Sequence, residues 1–111
     1  MAKYCLVVLS NAVDGRELEF QHWYDSQHIP DVLRVPGFTS AQRFTIAQAE
    51  NPLPGRYLAI YEMETESPDV ATDELKRRAG TALMPLSEAM DLASATATLF
   101  VALGDRRTSS T

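Results

Sequence analysis

The residues able to do chemistry gather in one stretch, His22 to Val32, which reads HWYDSQHIPDV. It holds both histidines, the only tryptophan, a tyrosine and two aspartates. On a helix turning about 100° per residue, Phe20, Trp23, Tyr24 and Gln27 share one arc, with His28 at its edge. His22 and Asp25 fall on the far side, so His22 is expected at the surface. His28 is expected at the helix C-terminus, where the negative end of the dipole favours its charged form. Tyr24 lies one turn away, and Asp25 and Asp31 flank His28 three residues either way. An imidazole oriented by a carboxylate can act as general acid or base near neutral pH, with Tyr24 as a hydrogen-bond donor. The competing reading makes His28 a cap on backbone carbonyls. No metal is expected: the two histidines are six residues apart, helical ligand pairs sit at i,i+3 or i,i+4, and His28 with either aspartate lacks a third ligand.

Arg43 is the second candidate. It shares a strand face with Thr39, Ala41, Thr45 and Ala47, all small, so it either reaches solvent or leaves room for a ligand. As a ligand contact it would hold a carboxylate, phenolate or developing enolate. Tyr57 and Tyr61 share another strand face and, with Trp23, Tyr24 and Phe38, could wall an apolar pocket; such aromatics also serve as plain core. The sequence has no Gly-rich phosphate loop, no G-x-S-x-G and no dinucleotide fingerprint.

These residues need elements to position them. Tyr4–Leu9 is continuously apolar, as in a strand covered on both faces. Asp14 with Glu17 reads as a capping box, and Val13 with Leu18 as a staple. They open a helix over 15–28 that Pro30 should stop, with a turn or helical extension over 31–35. Strands follow over 38–48 and 56–64, joined by a loop over 49–55. On the first, Phe38, Ser40, Gln42, Phe44 and Ile46 face away from Arg43. Ser67-Pro68-Asp69 starts a second helix that Gly80 ends. A short helical piece is expected after Pro85, then a strand over 94–103. Met63, Met84 and Met90 read as core filler. Residues 1–103 form one domain, and 104–111 a flexible tail. The order β-α-β-β-α-β is the ferredoxin-like arrangement, an α+β fold with a four-stranded antiparallel sheet. The first and last strands carry apolar residues at both parities, so the helix-free face needs a cover, and a second copy of the chain is the economical one.

Composition narrows the partners. Hydrophobic residues at 45% and charged residues at 23% suit a soluble globular domain. A net charge of −5 disfavours nucleic acid and anionic membranes, which need a basic face. The basic cluster Lys76-Arg77-Arg78 reads as a solvated helix end. Cys5, the only cysteine, lies in an apolar run and reads as a buried thiol. The apolar run near the start is shorter than a signal peptide requires, and no stretch reaches membrane-span length, so a cytoplasmic setting is expected.

The stretch from Trp23 to Phe44 resembles the dimeric α/β-barrel superfamily, nearest to its small EthD-like and polyketide-cyclase-like bacterial members. Trp23-Tyr24, His28-Ile29-Pro30, Val35-Pro36-Gly37-Phe38 and Arg43-Phe44 carry the likeness. The resemblance implies a homodimer whose two sheets form a barrel, with a pocket in each subunit between sheet and helices. Together with the residues, it sets the expectation of a cofactor-independent enzyme on a small aromatic or polyketide-like molecule. The chemistry would be proton transfer: cyclisation, dehydration, isomerisation or a lyase step. Two alternatives stand beside it. One is a monooxygenase, cofactor-free on quinol-like substrates or haem-dependent; the other is a non-catalytic ligand-binding or stress-associated dimer.

Overall fold

The computed structural model describes residues 2–48 and 53–110. Four strands, β1 (Lys3–Ser10), β2 (Phe38–Thr45), β3 (Tyr57–Glu64) and β4 (Thr96–Val101), make one antiparallel sheet in the order β2-β3-β1-β4. This is the expected ferredoxin-like α+β order, with the helices on one face. The helical layer holds α1 (Glu17–Trp23), a π-helical turn (Tyr24–His28), α2 (Ile29–Leu33) and α3 (Pro68–Arg78). Alternation along each strand divides the sheet. Leu6, Ala59, Tyr61 and Met63 are buried beneath the helices with Phe20, Tyr24, Val32 and Met84. The opposite face carries Cys5, Val7, Leu9, Leu58 and Ile60, with Phe44 and Phe100 about half exposed.

Pro30 does not stop the first helix. A proline inside a helix lacks its N–H and clashes with the carbonyl four residues back. Here the helix widens just before it: the Ile29 N–H bonds the Tyr24 carbonyl five residues back. The proline then falls near the start of α2, where the missing donor costs little. The Ser26 hydroxyl adds a bond to the His22 carbonyl at 2.5 Å, a contact that bends helices. The other end also differs from expectation. Gly15 takes φ +83°, α1 begins at Glu17, and no side chain caps it. Leu18 is almost fully exposed, which leaves no hydrophobic staple.

In β2 the pairing shifts between Phe38 and Ser40. This bulge at Thr39 turns Phe38 onto the helix-covered face with Ala41 and Arg43, the opposite of simple alternation. The expected helical piece after Pro85 is absent. The Val13 N–H instead bonds the Ala89 carbonyl at 2.7 Å, and the Asp91 N–H bonds the Asn11 carbonyl at 3.0 Å. Pairing with residues 11–13 holds that segment extended, and it delivers fully buried Met84 and Ala89 to the core. A 3₁₀ turn (Leu92–Ser94) leads into β4. Of the loop expected over 49–55, residues 49–52 lie outside the described residues.

Gly55 passes against the end of β1. A Cβ there would stand 2.7 Å from the Ser10 nitrogen and 2.8 Å from the Leu9 Cβ. Gly55→Ala is therefore expected to cost about 1–3 kcal/mol of stability, as forced overpacking does. Urea unfolding measures it, and an unchanged midpoint would show that the backbones separate freely.

Candidate active site

Arg43 organises the site. Its strand neighbours Ala41 and Thr45, and Ala59 across the ladder, are small, so its side chain can lie flat over the helix-covered face. The guanidinium carbon stands 4.3 Å from the Tyr24 ring centre, 5.6 Å from Phe20 and 6.0 Å from Tyr57. The side chain is only 15% exposed. Its charge is met from the helix, where Nη1 donates to Asp25 Oδ1 at 2.8 Å and Nη2 to Gln21 Oε1 at 2.5 Å. Two of its five N–H groups are thereby engaged.

Beneath it lie two phenols. The Tyr61 hydroxyl donates to the Tyr24 hydroxyl at 3.3 Å, with both rings fully buried. Burial holds Tyr24 above its ordinary pKa, against the opposing pull of Tyr61, Arg43 and buried Ser10. Burial, and then Tyr24 itself, drives Tyr61 up as well. Both phenols stay protonated at neutral pH. Phe38 packs edge-on against Tyr61, with ring centres 6.2 Å apart.

The residues expected around His28 separate into two groups. The ring stacks on Trp23 at 4.7 Å and meets Tyr24 edge-on at 5.2 Å. Its Nδ1 is buried without a hydrogen-bond partner. Neither carboxylate bonds it. Asp25 is given to Arg43. Asp31, itself buried, takes Arg34 Nη1 at 2.6 Å and Gln27 Nε2 at 2.7 Å. Because helix continues beyond Pro30, His28 is no C-terminal residue and the expected dipole effect is lost. Burial instead pushes its pKa down to about 4, against the weaker raising influence of Asp31. The imidazole is neutral at pH 7. Trp23 is fixed by its own bond, Nε1 to the Pro85 carbonyl at 3.1 Å. His22 is exposed, as the helical wheel requires.

A groove of about 390 Å³ opens beside Arg43, lined also by Gln21, Phe44, Thr45, Arg56 and Tyr57. A cleft of about 510 Å³ shares Arg56 and Tyr57 with it and is otherwise lined by Asn11, Ala12, Asp14, Glu17 and Asp91. His28 lines neither. Gln21 and Arg56 escaped the sequence reading. The helical wheel set Asp25 on the far side, yet Asp25 and Gln21, one helical turn apart, both reach Arg43. Arg56 needed the hairpin register. Among the described residues no three His, Cys, Asp or Glu side chains cluster as a metal site. No helix among them is long and apolar enough to cross a membrane.

No family model matches the sequence, and none of the curated proteins does. Solved structures do match in fold. A haem-degrading protein of Mycobacterium tuberculosis, solved with two haems in its active site, aligns over 94% of this chain and 99% of its own. Its TM-score is 0.64 at 16% identity. A candidate monooxygenase of Shewanella loihica covers 95% and 99%, with TM-score 0.61 and 16% identity. The monooxygenase ActVA-Orf6 of Streptomyces coelicolor, solved with nanaomycin D, covers 97% and 93%, with TM-score 0.50 and 19% identity. The chain thus shares the ferredoxin-like α+β fold of these structures, as the order of its elements implied.

His28 leaves a signature in stability. The unfolded chain takes up its proton near pH 6.5, the folded one only near 4, so this group's contribution is present above about 6.5 and is lost as pH falls towards 4. Between pH 7.5 and 4.5 the protein should lose about 2 kcal/mol more than His28→Gln does. Equal losses in urea titrations of the two proteins would refute a buried neutral imidazole.

Proposed function

We propose that this chain is a cofactor-free monooxygenase acting on an acidic, electron-rich aromatic of quinol or anthrone type, bound in the groove beside Arg43. One observation carries the reading: a largely buried guanidinium, spread over aromatic rings, with donors left for an anion. A bound phenol or enol beside it loses its proton more readily, because the cation favours the anionic form. Such an anion can pass electrons to oxygen directly. At a methylene between two rings, both C–H bonds break, one oxygen atom becomes the carbonyl and the other leaves as water. The substrate supplies all four electrons, and no outside reductant is required.

The neighbours favour this over the cyclase or lyase expectation, since those described by activity are monooxygenases or a haem degrader. The geometry favours it too. Proton-transfer chemistry near neutral pH relies most often on a histidine or a carboxylate, and the groove lining holds neither. The lining also fits haem poorly. It holds no histidine, cysteine or methionine, the common axial ligands, and only Tyr57 could coordinate iron. Trp23, Phe38 and Tyr61 serve this reading as the packed wall behind Tyr24 and Tyr57.

The test is oxygen uptake with 1,8-dihydroxyanthrone, followed together with the spectrum of the quinone product. The protein should speed uptake above the spontaneous rate at one oxygen per substrate, with no further gain from added haemin. Arg43→Gln should lower that rate by about 10²-fold, the usual cost of one charge-stabilising donor. A wild-type rate equal to the spontaneous one would defeat the oxygenase reading, and a rate that rises only with haemin would move it to the haem-dependent form.

The working form in this proposal is a homodimer joined through the helix-free sheet face. Support comes from Val7, Leu9, Leu58 and Ile60 on that face beside half-exposed Phe44 and Phe100. Sedimentation equilibrium at micromolar concentration should give twice the chain mass, and Ile60→Glu should give the single chain. A monomeric wild type would overturn it.

A further inference from the structure

Arg56 stands at the junction of the two clefts and has no assigned role. Its backbone is fixed from both sides. Its N–H donates to Asn11 Oδ1 at 2.9 Å, and its carbonyl accepts from the Ile46 N–H at 3.1 Å. Asn11 is braced in turn, donating to the Pro54 carbonyl at 2.9 Å and the Ser94 hydroxyl at 3.1 Å. The guanidinium at the end of this fixed backbone forms no ion pair with a described residue. The groove it shares with Arg43 has two arginines and no acid in its lining, in a chain whose net charge is −5. Beyond Arg56 the lining changes sign, to Asp14, Glu17 and Asp91.

We propose that Arg56 is a second anion contact, and that the groove selects aromatic molecules with two anionic poles: an ionised hydroxyl at Arg43 and a carboxylate at Arg56. This deepens the preceding reading and rests on Arg43 as the inner contact. Arg56 pairs beside Ile46, three residues along β2 from Arg43, and both arginines line the one groove, so an elongated molecule can meet them with separate anionic ends. The acidic lining farther out repels an anion that overshoots, which turns attraction at Arg56 into a length limit.

Binding can be read without turnover. Naphthalene-2,6-dicarboxylate and 2-naphthoate share one ring system, resist oxidation and differ by a single anionic pole. Calorimetry at low salt should show the dicarboxylate binding the wild type about fivefold tighter, the scale of one screened charge pair. Arg56→Gln should erase that preference, Arg56→Lys should keep part of it, and high salt should erase it in the wild type. Arg43→Gln should weaken both probes. Three results would overturn the proposal: no binding of either probe to the wild type, equal binding of the two, or a preference that survives Arg56→Gln in the folded variant. The outcome separates from that of the oxygenase reading. Absent oxygen uptake with the dicarboxylate preference intact rejects the chemistry and keeps Arg56; uptake without any preference does the reverse.

Discussion

Burying the positive charge of Arg43 is the constraint on which the other features turn. A guanidinium taken from water is costly unless its donors are met and its faces are covered. Both are met in part: Gln21 and Asp25 take two of the donors, and Tyr24, Phe20 and Tyr57 cover a face. Arginine suits this better than lysine, because its planar, weakly hydrated head stacks on rings and forks to two acceptors. The contacts join three elements, β2 through Arg43, β3 through Tyr57, and the first helix through the rest. The small residues Ala41, Thr45 and Ala59 are what keep the space open. A larger side chain at any of them would lift the guanidinium off its floor.

The π-helical turn serves the same arrangement. Its first residue is Tyr24, under the guanidinium, and its second is Asp25, bonded to it. Pro30 accounts for the turn by simple chemistry, since the helix widens where a donor is missing. Pro30 therefore acts on the site at a distance, through the geometry of one turn, without touching the groove. The bulge at Thr39 works similarly on the strand side. By turning Phe38 inward it closes the core beneath Tyr61 and leaves Arg43 beside the opening.

The regular parts of the fold were legible in the sequence because periodicity and breakers state them directly. Apolar runs, the Ser67-Pro68 helix start and Gly80 placed the strands and α3 to within three residues at each end. The departures have one cause in common: a local rule was overruled by a contact distant in sequence. Pro30 suggested a stop, but α2 has Val32 to bury against the core. Pro85 suggested a helix start, but residues 11–13 offered backbone partners. Alternation set Phe38 on the face opposite Arg43 until the bulge moved it. Of the site residues, Arg43 and the aromatics were visible as types on faces. What a helical wheel cannot show is whom a carboxylate chooses. Asp25 stands three residues from His28 and eighteen from Arg43 in sequence, yet the cation on β2 takes it. Asp31 is taken by Arg34, an i,i+3 partner whose claim was open to view.

The ionisation states around Arg43 limit what this site can do. His28 is held neutral by burial, with its pKa near 4, and its ring is turned into Trp23 and Tyr24. Tyr24 and Tyr61 are held protonated by the same burial. Near pH 7 none of the three exchanges a proton readily, so all act as fixed dipoles and packing. What remains is electrostatics: the Arg43 guanidinium on an apolar floor, held from one side by Asp25 and Gln21, at the edge of a groove that a flat molecule can enter. Such a floor strengthens the pull of the charge, because little water competes for it. A reaction served by that environment is one whose substrate ionises on its own acidity and brings its own electrons. The proposed oxygenation of an acidic aromatic meets both conditions, whereas cyclisation or dehydration would lean on a histidine or carboxylate, and the groove lining holds neither.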